Sequence, residues 1–172
     1  IHYQVSSLGE TFNLDYQMIF LLNLYTKKRD SHTRKQWHIS SISKAIPKDR
    51  YSVIEYPGLP KNLMIDLYWL YAYYRVIKNI DQKYDLIHAH SLYPAGYIAM
   101  KLSKKLGIPF LVTTHGSDFY EYAGSNVSVF GFSQVEKYIN EVLMNADRII
   151  AVSQKFSTDI LKFCHSAKVS VV

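Results

Sequence analysis

Two short clusters hold the residue types that do chemistry: His88-Ala-His90, and His115-Gly-Ser-Asp118. An imidazole offers one donor and one acceptor when neutral, so it suits hydrogen bonding to a polar ligand. His-x-His with a third histidine is also a possible zinc set, as in metal-dependent hydrolases. Such a site needs further ligands from other strands, and the strand at 148–153 offers only Ser153. Gly116 permits the tight backbone turn that a rim loop needs.

The elements around these clusters decide where they sit. Residues 84–90 read as a strand delivering His90 at its carboxyl end. Pro94-Ala-Gly opens a helix over 95–106, Gly107 closes it, and 108–114 is the next strand. Upstream, 1–16 is an irregular lead-in, 17–25 a strand buried on both faces, 36–46 a helix ended by Pro47, and 51–56 a strand. A long aromatic helix spans 61–80. Downstream, 134–145 is an amphipathic helix whose stripe is Val135, Tyr138, Ile139, Val142 and Leu143. A strand at 148–153, a helix at 154–163 and a strand at 168–172 complete the chain. This alternation predicts an α/β fold: a Rossmann-like parallel sheet with helices on both faces. In such sheets ligands bind outside the carboxyl ends of the strands, where both histidine clusters fall.

Composition narrows the function classes. The chain has 172 residues, 48% hydrophobic and 20% charged, which predicts one ordered domain over 1–172. The single cysteine, Cys164, excludes an internal disulfide. No apolar run reaches the ~20 residues of a membrane span. A net charge of +6 favours anionic lipid or a phosphorylated small molecule. Nucleic acid is disfavoured, because no binding motif for it is visible. There is no internal repeat.

The ordered series "DLIHAH…P.G..A..L.KKLGIP.LVTTHGSD", then "NADRIIAVS", then "KVSVV", resembles the amino-terminal domain of GT-B glycosyltransferases, of the retaining glycosyltransferase family 4 (group 1) type. The likeness is good from Tyr84 to Val172 and looser over 17–56. It implies the amino-terminal half of a GT-B fold: an acceptor-side domain whose carboxyl-terminal donor domain is absent from these residues. It further implies sugar transfer from a nucleotide-sugar to a glycan or lipid-linked acceptor, in polysaccharide or cell-envelope biosynthesis. The expected location is cytoplasmic, peripheral at the inner face of the membrane. No metal or other cofactor is needed in that scheme, and this half alone is expected to be inactive. The alternatives are a non-catalytic sugar- or nucleotide-binding module and a zinc-dependent hydrolase using His88, His90 and His115.

The resemblance places His115 beside the transferred sugar, as the catalytic residue, and Ser153 near the interdomain cleft. His90 and Gly116 join them as substrate-binding residues. Asp118 either contacts acceptor hydroxyls or caps the turn after the strand, with nothing to choose between them; Ser117 reads as structural. His88 lies deeper and reads as a packed, hydrogen-bonded core histidine. Family members carry a glycine pair after the first strand, whereas the loop at 26–35 has none. It presents Lys27, Lys28, Arg29, Arg34 and Lys35 instead. Lys27 and Arg29 are therefore candidates to bind a diphosphate or an anionic acceptor. In the helix at 61–80, Tyr68, Trp69, Tyr71, Tyr73 and Tyr74 encircle the axis. Packing between elements is the favoured reading, with peripheral association to an anionic membrane as the competitor. Lys101, Lys104 and Lys105 form a solvated face.

Overall fold

The computed structural model describes residues 18–23, 51–56, 65–80, 83–116, 119–120 and 132–172. The expected lead-in, the helix at 36–46 and the basic loop carrying Lys27 and Arg29 lie outside the described residues, as do Ser117 and Asp118. The chain divides into two compact units, Ile1–Leu59 and Pro60–Val172.

In the first unit, β1 (Met18–Asn23) and β2 (Tyr51–Tyr56) pair in parallel, with Met18 opposite Tyr51 and Asn23 opposite Tyr56. The second unit begins with α1 (Ile65–Asn79) and continues with β3 (Ile87–His90), α2 (Tyr97–Leu106), β4 (Phe110–Thr114), α3 (Phe132–Asn145), β5 (Arg148–Ala151), α4 (Gln154–Phe163) and β6 (Val169–Val171). Its sheet has the order β3-β4-β5-β6 and every pairing is parallel. The α/β, Rossmann-like parallel sheet expected from the alternation is therefore present.

Register explains which residues face which way. Ala89 lies opposite Val112, and Val112 opposite Ile149. All three are buried, in one core with Met100, Ile139, Val142, Leu143 and Phe156. Because side chains alternate along a strand, His88, His90, Leu111, Thr113 and Ile150 project from the opposite face. The five residues of the expected α3 stripe, Val135, Tyr138, Ile139, Val142 and Leu143, are all buried. Sealing one such aliphatic side chain contributes roughly 1.5–3 kcal/mol, so the α3 stripe is a large part of the core it shares with residues of α2 and α4.

The edge opposite the histidines is tied by a reciprocal contact. Phe110 N–H donates to Asp147 Oδ2 at 2.9 Å, and Asp147 N–H donates to the Phe110 carbonyl at 3.1 Å. This pins the start of β4 to the entry of β5. Helix α2 ends at Gly107, whose N–H donates to the Ser103 carbonyl at 2.8 Å.

Several boundaries differ from expectation, two of them beside the rim. The helix predicted from 95 starts at Tyr97, preceded by a wide turn over Leu92–Gly96 that the Gly96 N–H closes onto the Ser91 carbonyl at 3.0 Å. The strand predicted over 148–153 stops at Ala151, because Ser153 serves the next helix instead. The helix at 61–80 is described over Ile65–Asn79, where it buries Ala72 and Val76 and exposes Leu70, Tyr71 and Tyr74.

Gly96 is required by space. A Cβ there would meet the Ser91 carbonyl oxygen at 2.8 Å and Val142 Cγ1 at 3.2 Å. The first neighbour is backbone and cannot yield without opening the turn. Gly96→Ala is expected to lower unfolding stability by about 1–3 kcal/mol, read from the shift in urea midpoint at unchanged slope. A change within about 0.5 kcal/mol would show that the turn relaxes freely.

Candidate functional site

Parallel pairing brings the carboxyl ends of β3, β4 and β5 to one rim. His90 is the last residue of β3 and lies opposite Thr113. His115 follows β4 directly and is exposed. Ser153 stands two residues past the end of β5. The three residues that sequence reasoning placed at the rim are thus there.

The histidines form a stack. The His88 and His90 ring centroids are 4.5 Å apart, tilted by 33°. Those of His90 and His115 are 6.4 Å apart and nearly parallel, at 17°. His88 Nε2 lies 2.8 Å from Thr113 Oγ1, a hydrogen bond between the outer strand and its neighbour. Thr113 is itself buried. His88 as a whole residue is exposed, yet its ring is held against Thr113 and His90, and that loss of solvent lowers its pKa. The geometric contact, rather than whole-residue exposure, describes the ring's environment. The expectation of a hydrogen-bonded His88 is met; that of a deep one is not.

His90 is the polar centre of this stack. Its Nδ1 is buried and has no protein hydrogen-bond partner among the described residues. A buried polar atom left unpaired costs roughly 1–3 kcal/mol, so its presence at a ligand-binding edge invites a functional reading. Burial lowers the His90 pKa to about 4, with the charge of His88 and then that of His115 pushing the same way. His90 is therefore a neutral imidazole at pH 7, a hydrogen-bonding group and not a cation.

Both strand ends turn sharply just beyond their histidines. Gly116 takes a φ of 93°, a conformation glycine adopts without penalty. Ser91 takes a φ of 123° with ψ 154°, a region close to glycine-only, at a cost of about 1–3 kcal/mol. Two hydrogen bonds hold it there: the Ser91 N–H donates to the Thr113 carbonyl at 3.0 Å, and its own carbonyl accepts from Gly96. No sequence signal marks Ser91, since its residue type gives no hint of that conformation.

Ser153 has a structural task. It caps α4, its Oγ accepting from the Phe156 N–H at 3.2 Å. Its hydroxyl hydrogen is not used in that contact, so capping and ligand contact are compatible. Among the described residues no group of three His, Cys, Asp or Glu side chains is arranged to hold a metal ion. The rings of His88, His90 and His115 lie face against face, not converging on one point.

The depressed His90 pKa has a measurable consequence. Between pH 6.5 and about 4 the unfolded chain binds a proton at this position that the folded chain refuses. Stability linked to His90 is therefore fully present above pH 6.5 and is lost progressively as pH falls towards 4. His90→Asn should flatten the fall in urea midpoint over that range. An unchanged slope in the variant would show that the ring is freely solvated.

The comparisons with known proteins agree with this geometry. The family model described as Glycosyltransferase Family 4 matches residues 24–172. An uncharacterized glycosyltransferase of Methanocaldococcus jannaschii is 29% identical over 133 residues, 68% of this chain and 36% of that protein. The protein of Bacillus subtilis named "Putative teichuronic acid biosynthesis glycosyltransferase TuaC" is 32% identical over 91 residues, 53% of this chain and 22% of that protein. The matched regions thus span little more than a third of the first relative's length and less than a quarter of the second's. With a parallel Rossmann-like sheet, histidines at its carboxyl rim and a family match over most of its length, the chain belongs to glycosyltransferase family 4, as a GT-B-type domain.

Proposed function

We propose that this domain forms the acceptor-side half of a retaining glycosyltransferase. The enzyme moves a sugar from a nucleotide-sugar to a glycan or lipid-linked acceptor, in polysaccharide or cell-envelope assembly on the cytoplasmic side of the membrane. The observation that carries the reading is the His90–His115 pair, stacked 6.4 Å apart at the carboxyl rim of a family 4 chain. The similarity to a protein named for teichuronic acid biosynthesis supports the cell-envelope setting.

The residues divide the work by their chemistry. His115, exposed above the rim, donates a hydrogen bond to a hydroxyl of the transferred sugar or to an oxygen of the leaving diphosphate. His90, neutral and with an unpaired ring nitrogen, orients the acceptor. The Gly116 turn brings backbone close to the substrate, and Ser153 and Asp118 contact hydroxyls at either side. Lys27 and Arg29 meet the negative charge of the diphosphate or acceptor.

In the full-length enzyme, His115→Ala should lower nucleoside-diphosphate release from a panel of nucleotide-sugars by more than about tenfold, a loss of ~1.4 kcal/mol of transition-state stabilisation. An unchanged thermal midpoint would establish that the fold is intact. Wild-type turnover in the variant would remove His115 from the mechanism.

Helix α1 supports peripheral association with anionic lipid. No helix among the described residues is long and apolar enough to cross a membrane. Leu70, Tyr71 and Tyr74 are exposed, Lys78 Nζ lies 4.4 Å from the Tyr74 ring centroid, and the Arg75 guanidinium lies 5.9 Å from that of Tyr71. Tyrosine rings paired with cations suit a headgroup boundary. Co-sedimentation with vesicles containing phosphatidylglycerol should exceed that with phosphatidylcholine alone. Replacing Lys27, Lys28 and Arg29 together by Glu should weaken it by about a hundredfold or more, since each basic residue near such a surface contributes about 1 kcal/mol. Equal binding to both vesicle types would end the membrane reading.

A further inference from the structure

Beyond His115 the chain turns at Gly116 and comes back against α4 through two aromatic residues. Phe119 is buried, with its ring edge-on to Phe156 and Phe163 at centroid distances of 5.5 and 5.6 Å. The Tyr120 N–H donates to the Gly116 carbonyl at 2.8 Å, and the Tyr120 ring lies 5.4 Å from that of Phe156. A Cβ at Gly116 would touch Tyr120 Cε2 at 3.3 Å and Phe156 Cζ at 3.8 Å, so the turn is seated on these two rings.

The far end of Tyr120 is anchored as well. Its hydroxyl donates to Asp159 Oδ2 at 2.7 Å, Lys155 Nζ lies 3.2 Å from the same oxygen, and Lys162 Nζ 4.0 Å from the other. The hydrogen bond from Tyr120 holds the Asp159 carboxyl below its ordinary range, with Lys155 adding to it, and the same bond raises the Tyr120 phenol. The pair thus keeps its phenol–carboxylate form throughout the neutral range.

One residue joins this anchor to the other side of the rim. Phe156 gives its backbone N–H to the Ser153 side chain and its ring to Phe119 and Tyr120. We propose that Tyr120, tethered by Asp159 on α4, is a positioning residue: it seats the Gly116 turn and thereby sets His115 in a defined relation to Ser153. The inference deepens the proposed function and rests on its reading of His115 as the substrate-facing group. Solvent-exposed ion pairs such as Lys155–Asp159 add little to global stability. The effect of the tether is therefore local, which separates positioning from ordinary structural support.

The test uses isotope-labelled full-length protein and needs no substrate. Tyr120→Phe removes the hydroxyl and keeps the ring. Expected are amide exchange at Tyr120 faster by about fivefold or more, displaced imidazole resonances of His115, and a thermal midpoint within about 2 °C of wild type. The resonances of His165, exposed beyond the far end of α4, should not move. Asp159→Asn should reproduce the pattern and Asp159→Glu should partly reverse it. Unchanged His115 resonances and Tyr120 exchange in both Tyr120→Phe and Asp159→Asn overturn the proposal. Displacement of His165 together with His115, with protection lost generally, also overturns it, in favour of a purely structural bond. Neither readout depends on turnover, so wild-type activity of His115→Ala would end the catalytic reading while leaving the tether to be judged separately.

Discussion

Parallel pairing of β3, β4 and β5 beneath a single apolar cover is the constraint on which the rest depends. Ala89, Val112 and Ile149 line up across the three strands and are buried by Ile139, Val142 and Leu143 of α3. A one-residue slip of β3 would exchange Ala89 for a histidine in that layer, so the register is held by the core itself. Since the strands share a direction, their carboxyl ends must also share an edge. His90, His115 and Ser153 come to that edge as a consequence of the packing beneath it. The reciprocal Phe110–Asp147 hydrogen bonds at the opposite edge serve the same register.

The rim runs against the trend of the core. Ser91 holds a backbone conformation that suits glycine, and His90 keeps a buried nitrogen without a protein partner among the described residues. Each of these costs about as much as one buried aliphatic side chain contributes. The two residues are neighbours in sequence, at the carboxyl rim of the sheet. Natural folds depart from local consistency mainly where function requires it. The surrounding structure bears the strain through the Ser91–Thr113 and Gly96–Ser91 hydrogen bonds, which tie the turn to β4 and to the start of α2.

What could be seen in the sequence depended on how far the determining interaction reaches. The α3 stripe was legible residue by residue, since a period of 3.6 and one apolar face need no distant information. The end of α2 at Gly107 and the strand positions were legible for similar reasons, with shifts of a few residues. The position of His90 and His115 on one rim followed from strand direction, once the alternation had implied a parallel sheet. The conformation of Ser91 was not legible, because contacts to Thr113 and Gly96 impose it on an unremarkable residue type. Ser153 was read as a strand end, whereas the competing demand of the α4 amino terminus claims its hydroxyl. In α1 the ring of aromatics favours packing between elements, whereas the described side chains bury Ala72 and Val76 and leave Tyr71 and Tyr74 exposed. Tyr120 passed unnoticed because its partner Asp159 is 39 residues away.

The electrostatics of the stack bear on how a transfer at this rim could work. With its pKa pushed to about 4, chiefly by burial and further by the adjacent imidazoles, His90 stands at the rim uncharged. Protonating one ring makes protonation of its neighbour harder, so His88 and His90 together resist becoming a cationic patch. A neutral imidazole can orient hydroxyls and donate a directed hydrogen bond, but it cannot offset the full charge of a diphosphate. In the proposed reaction that charge has to be met by fixed cations, and the chain carries a net +6 with a run of Lys27, Lys28 and Arg29 to supply them. The separation has a physical merit. In the proposed reaction a neutral His90 discriminates by geometry, while cations act through longer-ranged attraction on an anionic substrate.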